Sequence, residues 1–203
     1  MLTFKDYFLK EQITRKIVLF PGSFKPPHKG HVELIKRFKE MVGPEGIVNV
    51  IVTEPSPKSR RYTPDGKYIP GTVAADILKA YISAIGLRNV NVSTAKNAVG
   101  EVYDFIKDYA TPGDQILVGV GGKGDDKARY NNIDKHTPEG VSVDVQVADV
   151  VSDEGGEVSA SNFRNIIDNL SLENLRAFVP NELANNEEIL KYVYSELSNL
   201  PSD

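Results

Sequence analysis

The sequence predicts an α/β fold: a doubly wound parallel sheet of about five strands, with helices on both faces and a C-terminal helical segment. Three observations predict it. Short, continuous runs of branched apolar residues recur along the 203 residues. Stretches with apolar residues at helical spacing separate them. Glycine-rich turns follow the first and the fourth of these runs, where a strand would hand over to a helix.

The first strand is Ile17 to Phe20, a branched run leading into a Gly/Pro-rich turn. A helix begins at about Gly30, with Val32, Leu34, Ile35 and Phe38 on its apolar face, and Gly43-Pro44-Glu45-Gly46 stops it. Ile47 to Val52 is the second strand. Glu54 to Gly71 is a long loop with four prolines and four basic residues, and loops of this length inside a compact domain are usually functional or disordered. Thr72 to Ile85 is a helix ended by Gly86. Val90 to Val92 is a short third strand, and Val99 to Tyr109 a helix closed by Thr111-Pro112-Gly113. Asp114 to Val120 is the fourth strand, running into the glycine-rich turn Gly119 to Asp126. Val141 to Val151 is the fifth strand. Ser159 to Leu170 opens a helix, and two more follow at Leu172–Phe178 and Glu187–Leu197. Strands alternating with helices in this way make a Rossmann-like sheet, whose ligands sit beyond the strand C-termini where the strand order reverses. Both glycine turns and the long basic loop would lie on that rim.

Residues 1–15 precede the sheet. Leu2, Phe4, Tyr7, Phe8 and Ile13 could form a stripe on a packed helix or on a docking arm, and both readings stay open. Residues 16–170 form the main domain and 171–203 a helical extension of it. Net charge is −4, so phosphate recognition needs a local basic cluster and no nucleic-acid partner is expected. The absence of cysteine excludes disulfides, thiolate nucleophiles and Cys-based zinc sites. No apolar run reaches membrane-spanning length, and no signal-peptide core opens the chain, so a cytoplasmic setting is the expectation.

Two of the three histidines, His28 and His31, lie three residues apart in the first turn, beside Lys25. A strand delivering a glycine turn into a helix N-terminus presents free N–H groups and the positive end of the helix dipole to an anion. Gly22-Ser23-Phe24 with His28-Lys29-Gly30-His31 fits the pattern G-x-F-x-x-x-H-x-G-H. This turn resembles that of the HIGH-signature nucleotidyltransferase superfamily, whose hallmark is His/Thr-x-Gly-His after the first strand. A second hallmark, I-S-x-T-x-x-R at a late helix start, is matched with conservative changes by Val158-Ser159-Ala160-Ser161-Asn162-Phe163-Arg164. The resemblance spans roughly residues 16–170. Within the superfamily the Phe-x-Pro-x-His-x-Gly-His run is most similar to the nicotinamide-mononucleotide adenylyltransferase type, although Ser23 stands where that group carries arginine.

The resemblance implies transfer of the NMP part of an NTP, with ATP favoured, to a phosphorylated acceptor with release of pyrophosphate. Such a reaction needs donors and positive charge around the α-phosphate and no protein nucleophile. His28 and His31 would donate to phosphate oxygens. Lys25 would neutralise the acceptor phosphate or the pentavalent transition state. Gly30 would let the backbone approach the nucleotide, and Gly22, Ser23 and Phe24 would line it. Ser159 and Ser161 would hold the β- and γ-phosphates with Arg164 as a fork-shaped cation, although Ser159 also reads as a plain helix cap. Lys58, Arg60 and Arg61 are candidates for an acceptor phosphate, or equally a solvated basic loop. Gly122, Lys123 and Asp125 in the second turn are candidates for the nucleoside, or else a flexible connection. Mg²⁺ would arrive with the NTP, and no metal site made by the protein alone is expected. The acceptor could be nicotinamide mononucleotide, another phosphorylated cofactor precursor, or a polyol or sugar phosphate. A cytidylyltransferase, and a nucleotide-binding assembly module without turnover, remain alternatives. A homo-oligomer is left open.

Overall fold

The computed structural model describes residues 14–121, 126–148 and 159–202. Five strands form one sheet: β1 (Lys16–Gly22), β2 (Ile47–Thr53), β3 (Val90–Ala95), β4 (Gln115–Gly121) and β5 (Ser142–Ala148). All neighbours pair in parallel, in the order β3-β2-β1-β4-β5. The strand order reverses between β1 and β4, so the crevice of this open sheet opens above their C-terminal ends.

β1 is central, and its apolar run is continuous because both of its faces are covered. Val18 and Phe20 belong to the larger core, and Ile17 and Leu19 to the smaller one on the opposite face. The larger core takes the apolar faces of α1 (Lys29–Val42) and α2 (Gly71–Ala84). The smaller core takes α3 (Ala98–Asp108), through Ala98, Val102 and Ile106. Gly119 in β4 allows α1 to settle closely, since a Cβ there would stand 2.4 Å from the Phe38 ring.

The C-terminal third runs through α4 (Ala160–Ile166), a 3-10 turn (Ile167–Asn169), α5 (Leu172–Leu175) and α6 (Glu187–Ser198). Phe163, Ile167, Leu175, Leu190, Val193 and Leu197 are all buried in the larger core. This extension therefore shares its hydrophobic interior with α1 and α2. Among the described residues, no helix is long and apolar enough to cross a membrane.

Several boundaries differ from the sequence expectation for physical reasons. β3 continues to Ala95 because it is an edge strand, where polar residues such as Ser93 and Thr94 are tolerated. Asn91 Nδ2 also donates to Asn49 Oδ1 across that edge at 2.9 Å. The expected helix to Leu170 tightens after Ile166 into the 3-10 turn, and the one expected to Phe178 is regular only to Leu175. The loop 54–71 contains ordered structure: a 3-10 turn at Pro57–Ser59 and an antiparallel bridge between Tyr62 and Tyr68. The apolar stripe in residues 2–13 and the expected end of β5 beyond Ala148 lie outside the described residues.

The entry to β1 is fastened by Asp114, which is 2 % exposed. Arg15 grips it with both arms, Nε to Oδ1 at 2.8 Å and Nη2 to Oδ2 at 2.5 Å, while the Thr111 N–H donates to Oδ2 at 2.7 Å. The Arg15 contact holds the Asp114 carboxyl below its ordinary pKa. The stabilisation is therefore present above the unfolded carboxylate pKa and disappears as pH falls through the lower folded value. Asp114→Ala should cost about 2 kcal/mol in urea unfolding at neutral pH, because it orphans the Thr111 amide. The gap from the parent chain should narrow in acid.

Candidate active site

A cavity of about 330 Å³ opens at the C-terminal ends of β1 and β4, lined by Phe20 and Gly22 from one strand and Gly121 from the other. The turn after β1 supplies Ser23, Phe24, Lys25 and His28, α1 supplies Gly30, His31 and Leu34, and the start of α4 supplies Ser159, Ala160, Ser161 and Arg164. Arg61 closes one side and Asp126 another. The two signature stretches at opposite ends of the sequence thus face each other across one space.

The histidines are oriented by the helix they begin. His28 is the N-cap of α1, and its Nδ1 accepts the Gly30 N–H at 3.2 Å. His31 reaches back, its Nδ1 accepting the His28 N–H at 3.2 Å. Serine, threonine, asparagine and aspartate usually fill this capping role; here two imidazoles do. With each Nδ1 used as an acceptor, the proton of each neutral ring resides on Nε2, so both rings keep an Nε2–H donor. The rings lie 3.8 Å apart at 35°. Burial, and secondly the neighbouring His28, hold the His31 pKa well below the ordinary imidazole value, so it is neutral at physiological pH. Gly30 suits this packing: a Cβ there would stand 3.1 Å from the His28 ring, a tight contact.

Phe24 acts as the wedge behind the histidines. It is buried, edge-on to His31 at 5.0 Å and to Phe20 at 5.2 Å. Its backbone is left-handed, with φ of +52°, a conformation that costs energy in a bulky residue. Gly22 makes room for the ring, since a Cβ there would come within 2.8 Å of it.

Lys25 is 4 % exposed and spans from β1 to β2, its Nζ donating to the Thr53 carbonyl at 2.5 Å. Burial lowers its pKa to about 8, opposed by the charge of Glu54. Arg164 binds the same turn from the other side: Nη1 donates to the Lys25 carbonyl at 2.6 Å and Nη2 to Ser161 Oγ at 2.9 Å. Burial, and secondly the like charge of Arg61, press the Arg164 pKa downward. Ser159 caps α4, its Oγ accepting from the Asn162 N–H at 3.2 Å. Among the described residues, the cavity wall therefore carries Lys25, Arg61, Arg164 and two imidazole donors against one carboxylate, Asp126, which is itself paired with Arg129 at 3.1 Å. Such a wall suits a polyanion.

Other sequence candidates are placed differently. Lys58 and Arg60 are not among the lining residues, and the Arg60 guanidinium lies over the Tyr68 ring at 4.0 Å. Gly122, Lys123 and Asp125 lie outside the described residues, although Gly121 and Asp126 on either side of them line the cavity. Among the described residues, no three His, Asp or Glu side chains gather as a metal site. Asp126 and Leu34 were not singled out by sequence reasoning. Asp126 carried a signal in ending the second glycine turn; Leu34 looked like any other core position of its helix.

Residues 19–69, about a quarter of the chain, match the cytidylyltransferase-like family model. The match runs from β1 through α1 and β2 to the end of the basic loop, and so includes the histidine turn and Arg61. No curated protein matches the chain. Two solved structures match the chain at low similarity. Plasmodium falciparum nicotinic acid mononucleotide adenylyltransferase complexed with NaAD shows 10 % identity and a TM-score of 0.45, covering 90 % of this chain and 98 % of that one. A structure described as the macrolide-efflux protein of Streptococcus pneumoniae shows 20 % identity and a TM-score of 0.44, covering 76 % of this chain and 51 % of that one.

Proposed function

We propose that the chain is a nucleotidyltransferase that joins the NMP part of an NTP, with ATP the favoured donor, to a phosphorylated acceptor and releases pyrophosphate. One observation carries this reading: the His28/His31 turn, which lies in the stretch that matches the cytidylyltransferase-like family model, and the Ser159–Arg164 stretch line the same cation-rich cavity. In the reaction, an acceptor phosphate oxygen attacks the α-phosphorus, and the bond from that phosphorus to the bridging oxygen breaks. Negative charge then develops on the leaving pyrophosphate. His28 and His31 would donate from Nε2 to α- and β-phosphate oxygens. Arg164 and the Ser159 and Ser161 hydroxyls would hold the β- and γ-phosphates with Arg61 closing over them, leaving Lys25 to receive the acceptor phosphate. His28, His31, Lys25, Ser159, Ser161 and Arg164 each make a hydrogen bond within the protein, and fixed donors are what transition-state stabilisation requires. Magnesium brought in by the triphosphate would be held mainly by phosphate oxygens, with Asp126 the carboxylate at hand to receive it.

Nicotinamide mononucleotide is the first acceptor to try, on the strength of the Phe24–His31 run. A screen of ATP and CTP against mononucleotide, cofactor-precursor and polyol phosphates, scored by pyrophosphate release, tests the reading. Turnover with one ATP pair supports it, and turnover with CTP alone makes the chain a cytidylyltransferase. NTP binding without turnover on any pair would favour an assembly module.

Lys25 adds a pH dependence of stated sign. Its charge is present below about 8 and lost above, so the affinity of the free protein for tripolyphosphate should fall as pH rises through that value. Calorimetric titrations from pH 6.5 to 9.5 check this. A Lys25→Gln variant should bind more weakly at the lower pH and lack the step.

A further inference from the structure

The segment that brings Arg61 to the cavity is an ordered hairpin held by the C-terminal third of the chain. Tyr62 and Tyr68 pair across it, and the Thr63 N–H donates to the Lys67 carbonyl at 2.8 Å. The Tyr68 N–H also donates to the Pro201 carbonyl at 3.0 Å. At the turn, the Asp65 N–H donates to Asp168 Oδ2 at 2.8 Å. Asp168 lies in the 3-10 turn that continues α4, one helical turn beyond Arg164.

Arg61 and Arg164 line the same cavity and carry like charges; burial first, and Arg61 second, lower the Arg164 pKa. Arg61 is exposed at the edge of the cavity, and an unrestrained basic loop would relieve that repulsion by swinging it away from Arg164. The Asp168 side chain opposes this swing, because it joins the element carrying Arg164 to the hairpin carrying Arg61. We propose that Asp168 is a positioning residue that sets the span between these two guanidinium groups for a polyphosphate chain and acts through Arg61. Asp168 does not itself line the cavity. The inference rests on reading the cavity as a triphosphate site.

Calorimetric titration with inorganic tripolyphosphate tests it without any need for turnover. Asp168→Ala should raise the Kd about tenfold, the worth of one hydrogen bond to a charged group. Asp168→Asn keeps a carbonyl oxygen for the Asp65 N–H and should bind like the parent chain. Asp168→Glu moves the carboxylate by one methylene and should give a smaller loss. In an Arg61→Ala background, Asp168→Ala should change nothing further, because the residue it acts through is gone. An unchanged Kd for Asp168→Ala, or an equal loss added on top of Arg61→Ala, would overturn the proposal. A parent chain that binds no tripolyphosphate would overturn the reading of the cavity itself, a result distinct from binding that ignores Asp168.

Discussion

His31→Ala should lower turnover by about a hundredfold or more, the cost of removing one preorganised transition-state donor. The same change takes away the acceptor for the His28 N–H, and loss of a cap costs about 1 kcal/mol of stability. Two further variants separate these effects. Asparagine places its amide oxygen near the position of Nδ1, so His31→Asn should keep the cap and the melting temperature but lose the rate. Glutamine places its amide nitrogen near Nε2, so His31→Gln should recover part of the rate while remaining less stable. Steady-state pyrophosphate release and thermal unfolding on the three variants check the pattern. Parent-like turnover in His31→Asn would remove His31 from the chemistry.

Arg164→Ala should weaken tripolyphosphate binding by about 2 kcal/mol, roughly thirtyfold, which is the range for a hydrogen-bonded charge. The effect should exceed that of changing an exposed cation, because Arg164 is also fixed to the Lys25 carbonyl and to Ser161. Its loss would free the histidine turn from α4 as well as remove a charge. Arg164→Lys keeps the charge but replaces a planar fork with a single ammonium, which cannot serve the Lys25 carbonyl and Ser161 while also binding phosphate. It should recover only part of the affinity. Titrations at two salt concentrations separate the contributions, since the purely Coulombic part shrinks with salt. Affinities for both variants equal to that of the parent chain would place the triphosphate elsewhere.

The sheet is legible in the sequence because β1, β2 and β4 are covered on both faces, so their apolar runs are nearly continuous, with Asn49 the polar interruption in β2. β3 was read three residues short because the sheet edge leaves its later residues half in water. The convergence of the histidine turn with Ser159–Arg164 followed from topology, since strand C-termini in a parallel sheet share one rim. What the sequence could not show is how these residues hold one another. Nothing in the residue type marks His28 as a helix cap, because histidine rarely serves as one. The bond from Lys25 to the Thr53 carbonyl joins residues far apart in the chain. The basic loop looked unstructured because its partners, Asp168 and Pro201, lie more than a hundred residues away. Of its four cations, Arg61 alone lines the cavity, a placement invisible in the charge pattern alone.

The most direct test is a crystal structure of the chain with a non-hydrolysable ATP analogue and magnesium. A single triphosphate should bridge the cavity, with phosphate oxygens in hydrogen-bond reach of His31 Nε2 and of the Arg164 guanidinium at once. Density for phosphates that touch only one of these two groups, or that lies outside the space between β1 and β4, would contradict the assignment.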